Sequence, residues 1–398
     1  MEKIKKIISR KNFKLYLILL LSIIFIPAAY LFVAAVFVVH MKNSNYEVIR
    51  TIKFSKILKA AVLYISAGVA FSRYTLVSSV FGIMMFLCLY ALTYAFKKAE
   101  YVDLNALRKF MYILSLIVFI IGIIQYFNPY FSIPAKWVDG MEYQLNKRIY
   151  STFFNPNIFG FYINFVLIIA SFDTEKKDNL VKSIFIVGII CLFLTFSRTS
   201  WISLILAFIF AGIFFDKRYF KYALLTAFVL IGLDKIFNIG RINPIKAAED
   251  SSILYRFEIW KSCLRIIKDN LLTGIGFGTL FKYISVYSDV VKPNIEHCHN
   301  IYVQALTETG IVGTGILIYI ACNIIKNMRN RISNAAWTIA VMIMLHGLVD
   351  SVFLTPQIMM ILSIYSGLVL NEHKIQSVSP VSINEIIYIA DEDEKKAV

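Results

Sequence analysis

Charge is scarce in this sequence. Of its 398 residues only 17% are Asp, Glu, Lys or Arg, while 59% are hydrophobic and the mean hydropathy is +0.69. Soluble domains carry about 25% charged residues, so an ordinary water-soluble fold is excluded. Carboxylates are scarcer than cations, 25 against 41, and the net charge is +16. Five cysteines, Cys88, Cys191, Cys263, Cys298 and Cys322, are too few and too scattered for a disulfide framework. Three lie in apolar runs, where a thiol behaves as a small hydrophobe. Cys263 and Cys298 share one polar region. A bridge between those two is open, but an odd, sparse set speaks against it. There is no internal repeat, no low-complexity linker, no phosphate-binding loop or kinase signature, and no carboxylate pair of glycosidase type.

What is present is long apolar runs. They fall near 15–39, 57–72, 75–96, 109–127, 157–172, 180–196, 200–215, 219–235, 310–326, 334–350 and 354–370. A helix needs about 20 apolar residues to cross a bilayer, so the chain is expected to be an all-α polytopic membrane bundle of 10 to 12 spans, built as one integral domain. Runs of about 16 residues must borrow their polar flanks or thin the bilayer locally. The first run has no small-residue cleavage site and is expected to be a retained span rather than a signal peptide.

Orientation follows from basic loops. Lys97, Lys98, Arg108 and Lys109 mark one cytoplasmic loop; Lys176, Lys177 and Lys182, then Lys217, Arg218 and Lys221, then Lys326, Arg329 and Arg331 mark others. Residues 128–156, 197–200, 236–309 and 351–356 then face outward, with both termini cytoplasmic. Three runs precede residue 97, yet two inside ends demand an even number, so 57–72 is expected not to cross fully or one boundary is misplaced. The net charge is explained by this bias and by anionic lipid, and nucleic acid is not expected as a partner.

The region 236–309 is expected to be an extracytoplasmic loop. Within it, apolar residues at 253, 257, 260, 264 and 267 predict a helix over 251–270 lying on the membrane surface, capped by Asp250 or Ser251 and ended by Gly274. Arg256 falls at the edge of that stripe, suited to lipid phosphate or to a cavity.

Several polar residues stand out on the outer side. "HCH" (297–299) offers two imidazoles, but positions two apart do not share a helix face and no further ligand cluster lies near. Polar loop residues, or one histidine acting as general base, fit better than a metal site. Arg198 in "LTFSRTSW" sits between two apolar runs, where an arginine is costly; a snorkelling residue at a turn competes with a functional role. Lys147, Arg148, Asn155 and Asn157 flank the start of a span, with Asn155 as helix cap and Pro156 in the first turn. "GIGFG" (274–278) follows no strand and is expected to be a turn. His346 and Asp350, four apart, are expected to pair on one helix face and to support the site at most. Outward arginines, Arg148, Arg198 and Arg256, suit a phosphate-bearing polyanion.

In order along the chain, "STFFNPNIFGFYINF", "LTFSRTSW", "YRFEIWKSCLRIIKDNLLTGIGFGTL" and "HNIYVQALTETGIVG" resemble the O-antigen ligase and O-antigen polymerase family of bacterial membrane glycosyltransferases, over roughly residues 109–370. The resemblance implies a GT-C-like helix bundle in the cytoplasmic membrane, acting at its outer face. It implies an undecaprenyl-pyrophosphate-linked glycan donor and a lipid-linked or lipid A–core glycan acceptor, without nucleotide sugar, cofactor or metal. A chain-length regulator would be a further partner. The family's histidine before Asn maps to His299 as the catalytic base, and its arginines to Arg198 and Arg256 on the pyrophosphate. Arg148 and Asn157 would join that binding set, with His346 and Asp350 in support. The modest outer region leaves the acceptor type open, while an Ile-, Lys-, Phe- and Asn-rich composition favours polymerase over ligase. A flippase or anion carrier is the competing class; it should show repeated halves and mid-membrane charges, whereas the notable charges here gather near span ends.

Overall fold

The computed structural model describes residues 12–42, 55–128, 147–173, 178–241, 243, 251–328 and 332–376. The basic start, Lys176, Lys177, Asp250, Arg329, Arg331 and the acidic tail lie outside them. The described residues form fourteen α-helices and no strand. They are α1 (Phe13–Ile24), α2 (Ile26–Lys42), α3 (Ser55–Ala70), α4 (Thr75–Lys98), α5 (Leu104–Phe127), α6 (Pro156–Ser171), α7 (Asn179–Leu194), α8 (Arg198–Phe214), α9 (Arg218–Ile236), α10 (Ser251–Asp269), α11 (Leu280–Tyr287), α12 (Ile301–Met328), α13 (Asn334–His346) and α14 (Pro356–Gln376). This is the all-α membrane protein that composition demanded.

By length and composition, α4, α5 and residues 301–326 of α12 can each cross a membrane. Seven shorter apolar helices accompany them, namely α1, α2, α6, α7, α8, α13 and residues 356–370 of α14. Neither α3 nor α9 belongs to either group among the described residues. The run 15–39, expected as one span, is two helices. The break falls at Phe25, just before Pro27, whose ring removes a donor from the ladder.

Helix α6 is the centre of the bundle: fourteen of its sixteen residues are buried. A helix apolar on every side has no solvent face to offer and must be surrounded. Neighbouring helices α7 and α8 press against it. At Gly160 an added Cβ would stand 2.5 Å from the Ser200 hydroxyl of α8, so a small residue sets that approach. Asn164 Nδ2 donates to the Ser200 carbonyl at 2.7 Å and to the Ser203 hydroxyl at 3.2 Å, while its Oδ1 is buried with no partner among the described residues. Elsewhere α14 packs along α4, α3 along α12, and α8 against α9 and α13.

A second, smaller core caps one end of this bundle. Ile259, Cys263 and Ile266 of α10 meet Leu280 and Ile284 of α11 and Val291 and Cys298 of the following loop. Helix α12 bends at Gly310, whose φ of +58° and ψ of −166° lie outside the helical region. A Cβ there would fall 2.4 Å from the Leu272 carbonyl oxygen. The bend lets the first turns of α12, just after His299, lean onto the capping layer.

The inward face of α10 differs from the expected stripe. Ile259, Cys263, Ile266 and Ile267 are buried, whereas Phe257 and Leu264 are 54% and 59% exposed. The helix has two apolar faces, and Arg256 lies at the N-terminal end of the buried one, seven positions before Cys263. The helix ends at Asp269, before Gly274.

Candidate functional site

One carboxylate organises the polar end of the bundle. Asp350 follows α13 and its side chain is 6% exposed. Its Oδ1 lies 3.1 Å from His299 Nδ1 and accepts from the Ser351 amide at 2.8 Å. Its Oδ2 accepts from Asn157 Nδ2 at 2.8 Å and faces Arg256 Nη2 at 3.6 Å. Burial alone would raise this carboxyl, but the His299 hydrogen bond and the charges of His299 and Arg256 hold it well below the usual carboxylate range. An ionised carboxylate only accepts, so His299 Nδ1 is the donor of this pair, and whenever the ring is neutral Nε2 is its acceptor. The expected helix-face pair of His346 and Asp350 is therefore not what forms. Helix α13 stops at His346. Although the Asp350 amide still bonds the His346 carbonyl at 3.1 Å, its carboxylate is committed to other partners. His346 Nδ1 instead lies 3.2 Å from the Ser203 hydroxyl, and its ring meets Phe161 edge-on at 5.2 Å.

His299 is placed by its backbone. It has φ +50°, and the next residue, Asn300, caps α12 by accepting from the amides of Tyr302 and Val303, both at 3.0 Å. Asn300 also donates to the Leu348 carbonyl at 2.8 Å, and the Ile301 amide to the Gly347 carbonyl at 2.8 Å. These two bonds fix the start of α12 against the turn that carries Asp350. His297 points elsewhere: its Nδ1 is enclosed without a partner, and burial, reinforced by His299, lowers its pKa. The two imidazoles thus have different surroundings, as their spacing implied.

Arginines ring the carboxylate. Arg148 donates from Nη2 to Asn157 Oδ1 at 3.1 Å and from Nε to the Thr195 carbonyl at 2.8 Å. Asn157 therefore bridges Arg148 to Asp350, while Asn155 caps α6 and Pro156 opens it, as expected. Arg198 begins α8, directly after a turn in which Phe196 has φ +49°. Arg241, which the sequence did not single out, donates from Nε and Nη2 to the Phe196 carbonyl at 3.3 and 3.1 Å. Its own amide bonds Asp234 at 2.9 Å. The guanidinium of Arg148 is pushed down to about 9, first by burial and then by the charges of Arg241, Arg256 and Arg198. Arg148 thus feels three other guanidinium groups as well as the organising carboxylate. Such an arrangement favours an anion of high charge.

All of this lies at one end of the bundle: the starts of α6, α8 and α12 and the end of α13. The other end of α6 meets the basic start of α5, where Arg108 pairs with Asp173 at 3.5 Å and Lys109 with Asp178 at 3.8 Å. Among the described residues, no group of three or more His, Cys, Asp or Glu side chains is placed to hold a metal ion.

No curated protein matches the chain. Residues 183–318 match the family model described as O-antigen ligase. That stretch holds Arg198, Arg241, Arg256 and His299, along with the turn and the capping layer that position them. Over these residues, and for the part of the chain they make up, the protein is similar to the O-antigen ligase family.

Proposed function

We propose that this protein is a membrane glycosyltransferase that joins lipid-linked oligosaccharide repeat units into a surface polysaccharide. The donor is a glycan on polyprenyl pyrophosphate, undecaprenyl in the family it resembles. The observation that carries the proposal is Asp350, which holds His299 and Arg256 in one site beside Arg148, Arg198 and Arg241. As the anomeric carbon–oxygen bond breaks, negative charge grows on the departing pyrophosphate, and the arginines stabilise it in a poorly hydrated site. His299 Nε2 takes the proton of the acceptor hydroxyl as that oxygen attacks from the opposite side, and the anomeric centre inverts. Asp350 holds the ring in the tautomer that can accept, and offsets the imidazolium charge that forms. Arg148 and Asn157 brace the pyrophosphate side, and His346 supports α8 through Ser203.

The site faces outward, opposite the basic ends of α4, α5 and α9. The exposed face of α10, with Phe257 and Leu264, then lies in the headgroup layer. Both termini fall inside if α1 and α2 cross together as one bent span and α3 does not cross. That also resolves the parity problem of the apolar runs.

The second reading is ligase, transfer of a finished chain to a lipid-core acceptor, and the family match supports both readings equally. A gel of surface polysaccharide separates the two. In a deletion strain complemented with His299→Ala or Arg198→Ala, single repeat units on the carrier support polymerase. Long chains that stay on the carrier support ligase. Wild-type ladders from both variants would remove the enzyme assignment and reopen transport.

A further inference from the structure

Cys263 on α10 and Cys298, the residue before His299, face each other with their sulfur atoms 3.0 Å apart. Both residues are 0% exposed, within the small core of the capping layer. Around Cys298 the chain is fixed on several sides. Its carbonyl accepts from Trp260 Nε1 at 2.8 Å, its amide donates to Gln304 Oε1, and its sulfur lies 3.8 Å from the Thr307 hydroxyl. The two sulfurs are therefore held opposite each other by surroundings that do not depend on a bond between them. A shift of about 1 Å brings them to covalent distance. Although an odd and sparse cysteine set argues against a bridge, the fold brings together the one pair that shares a polar region.

We propose that Cys263 and Cys298 are joined by a disulfide, which staples the His299 loop to the helix that carries Arg256. The proposal rests on the outward orientation given under the proposed function, since disulfides persist outside the cytosol and not within it. The oxidant is the disulfide of an export-compartment dithiol–disulfide oxidoreductase. One thiol, as thiolate, attacks that disulfide to give a mixed disulfide and releases one oxidoreductase thiolate. The second thiolate then displaces the other oxidoreductase sulfur. Two protein thiols lose two electrons and two protons, and the oxidoreductase leaves as a dithiol. Because both sulfurs are enclosed in the folded layer, exchange occurs before α10 and the loop close over them. The bond then ties the helix of Arg256 to the loop of His299, the two residues whose side chains meet Asp350.

Counting free thiols tests this. Cells expressing the full chain are quenched in acid, which stops exchange, then denatured and treated with a polymer-tagged maleimide. With the bridge, three of the five cysteines react, Cys88, Cys191 and Cys322, and all five react after reduction. Cys298→Ser should give four adducts with or without reductant. Five adducts on the unreduced wild type would overturn the proposal. Orientation is read separately. Val290, 63% exposed in the same layer, is replaced by Cys in a Cys322→Ser background, and intact cells are labelled with a membrane-impermeant maleimide. Labelled Val290→Cys with an unbridged wild type refutes the disulfide and leaves the orientation standing. Unlabelled Val290→Cys with an unbridged wild type refutes both.

Discussion

His299 Nδ1 and Asp350 Oδ1 lie 3.1 Å apart although 51 positions separate them in the chain. The contact joins the loop before α12 to the turn after α13, and Asn157 and Arg256 meet on the same carboxylate. Asp350→Asn keeps the shape and removes the charge. The amide can donate to Nδ1, which favours the wrong ring tautomer. Transfer by Asp350→Asn is expected to fall on the order of 10²-fold or more with the protein still folded, by analogy with the aspartate of a catalytic triad. Rates on purified, reconstituted protein check this, and an unchanged rate would remove Asp350 from the site.

Arg241 is expected to matter as much as Arg198. Its guanidinium grips the Phe196 carbonyl and adds charge beside Arg148. Arg241→Gln should slow transfer by about 10²-fold, the usual loss for one donor to a developing anion. Arg241→Lys should recover only part of this, because a lysine cannot make both bonds.

His297 should shape acid stability rather than catalysis. Its folded pKa is lowered, so between that value and 6.5 the unfolded chain binds more protons than the folded one. Stability from the neutral imidazole is present above 6.5 and is lost as pH falls below it. Melting of the wild type is expected to drop as pH falls below 6.5, and His297→Gln to flatten that part of the decline. The lowered carboxyl of Asp350 acts at lower pH: its contribution is present above the ordinary 3.8 and is lost as pH falls through the folded value.

Gly310→Ala is expected to destabilise by about 1–3 kcal/mol or more, since φ +58° with ψ −166° is open to glycine and strained for other residues. The added carbon also meets the Leu272 carbonyl at 2.4 Å. Thermal melting measures the loss. Gly315→Ala, with nothing within 4 Å of the added carbon, is the control and should melt as the wild type does.

Apolar runs made the helices legible, because hydrophobicity without water leaves the backbone only one way to satisfy itself. Arg198, Arg256 and His299 could be named because each sits in a local motif. Arg241 could not: its partner Phe196 is 45 positions away, and nothing in the turn after α9 marks the approach. Asp350 was legible as polar but assigned to His346, because spacing of four assumes one continuous helix and α13 stops at His346. The stripe on α10 was real, yet hydropathy cannot rank two apolar faces. Only the packing of Ile259, Cys263 and Ile266 on α11 decides which one turns inward.

The most direct test of the central claim is transfer by the purified, reconstituted protein supplied with a polyprenyl-pyrophosphate-linked repeat unit as both donor and acceptor. Free polyprenyl pyrophosphate and lengthened glycan are expected to appear in equal amounts. His299→Ala should abolish both, and His297→Gln should leave both near the wild-type level. Lengthened glycan from His299→Ala at the wild-type rate would contradict that claim.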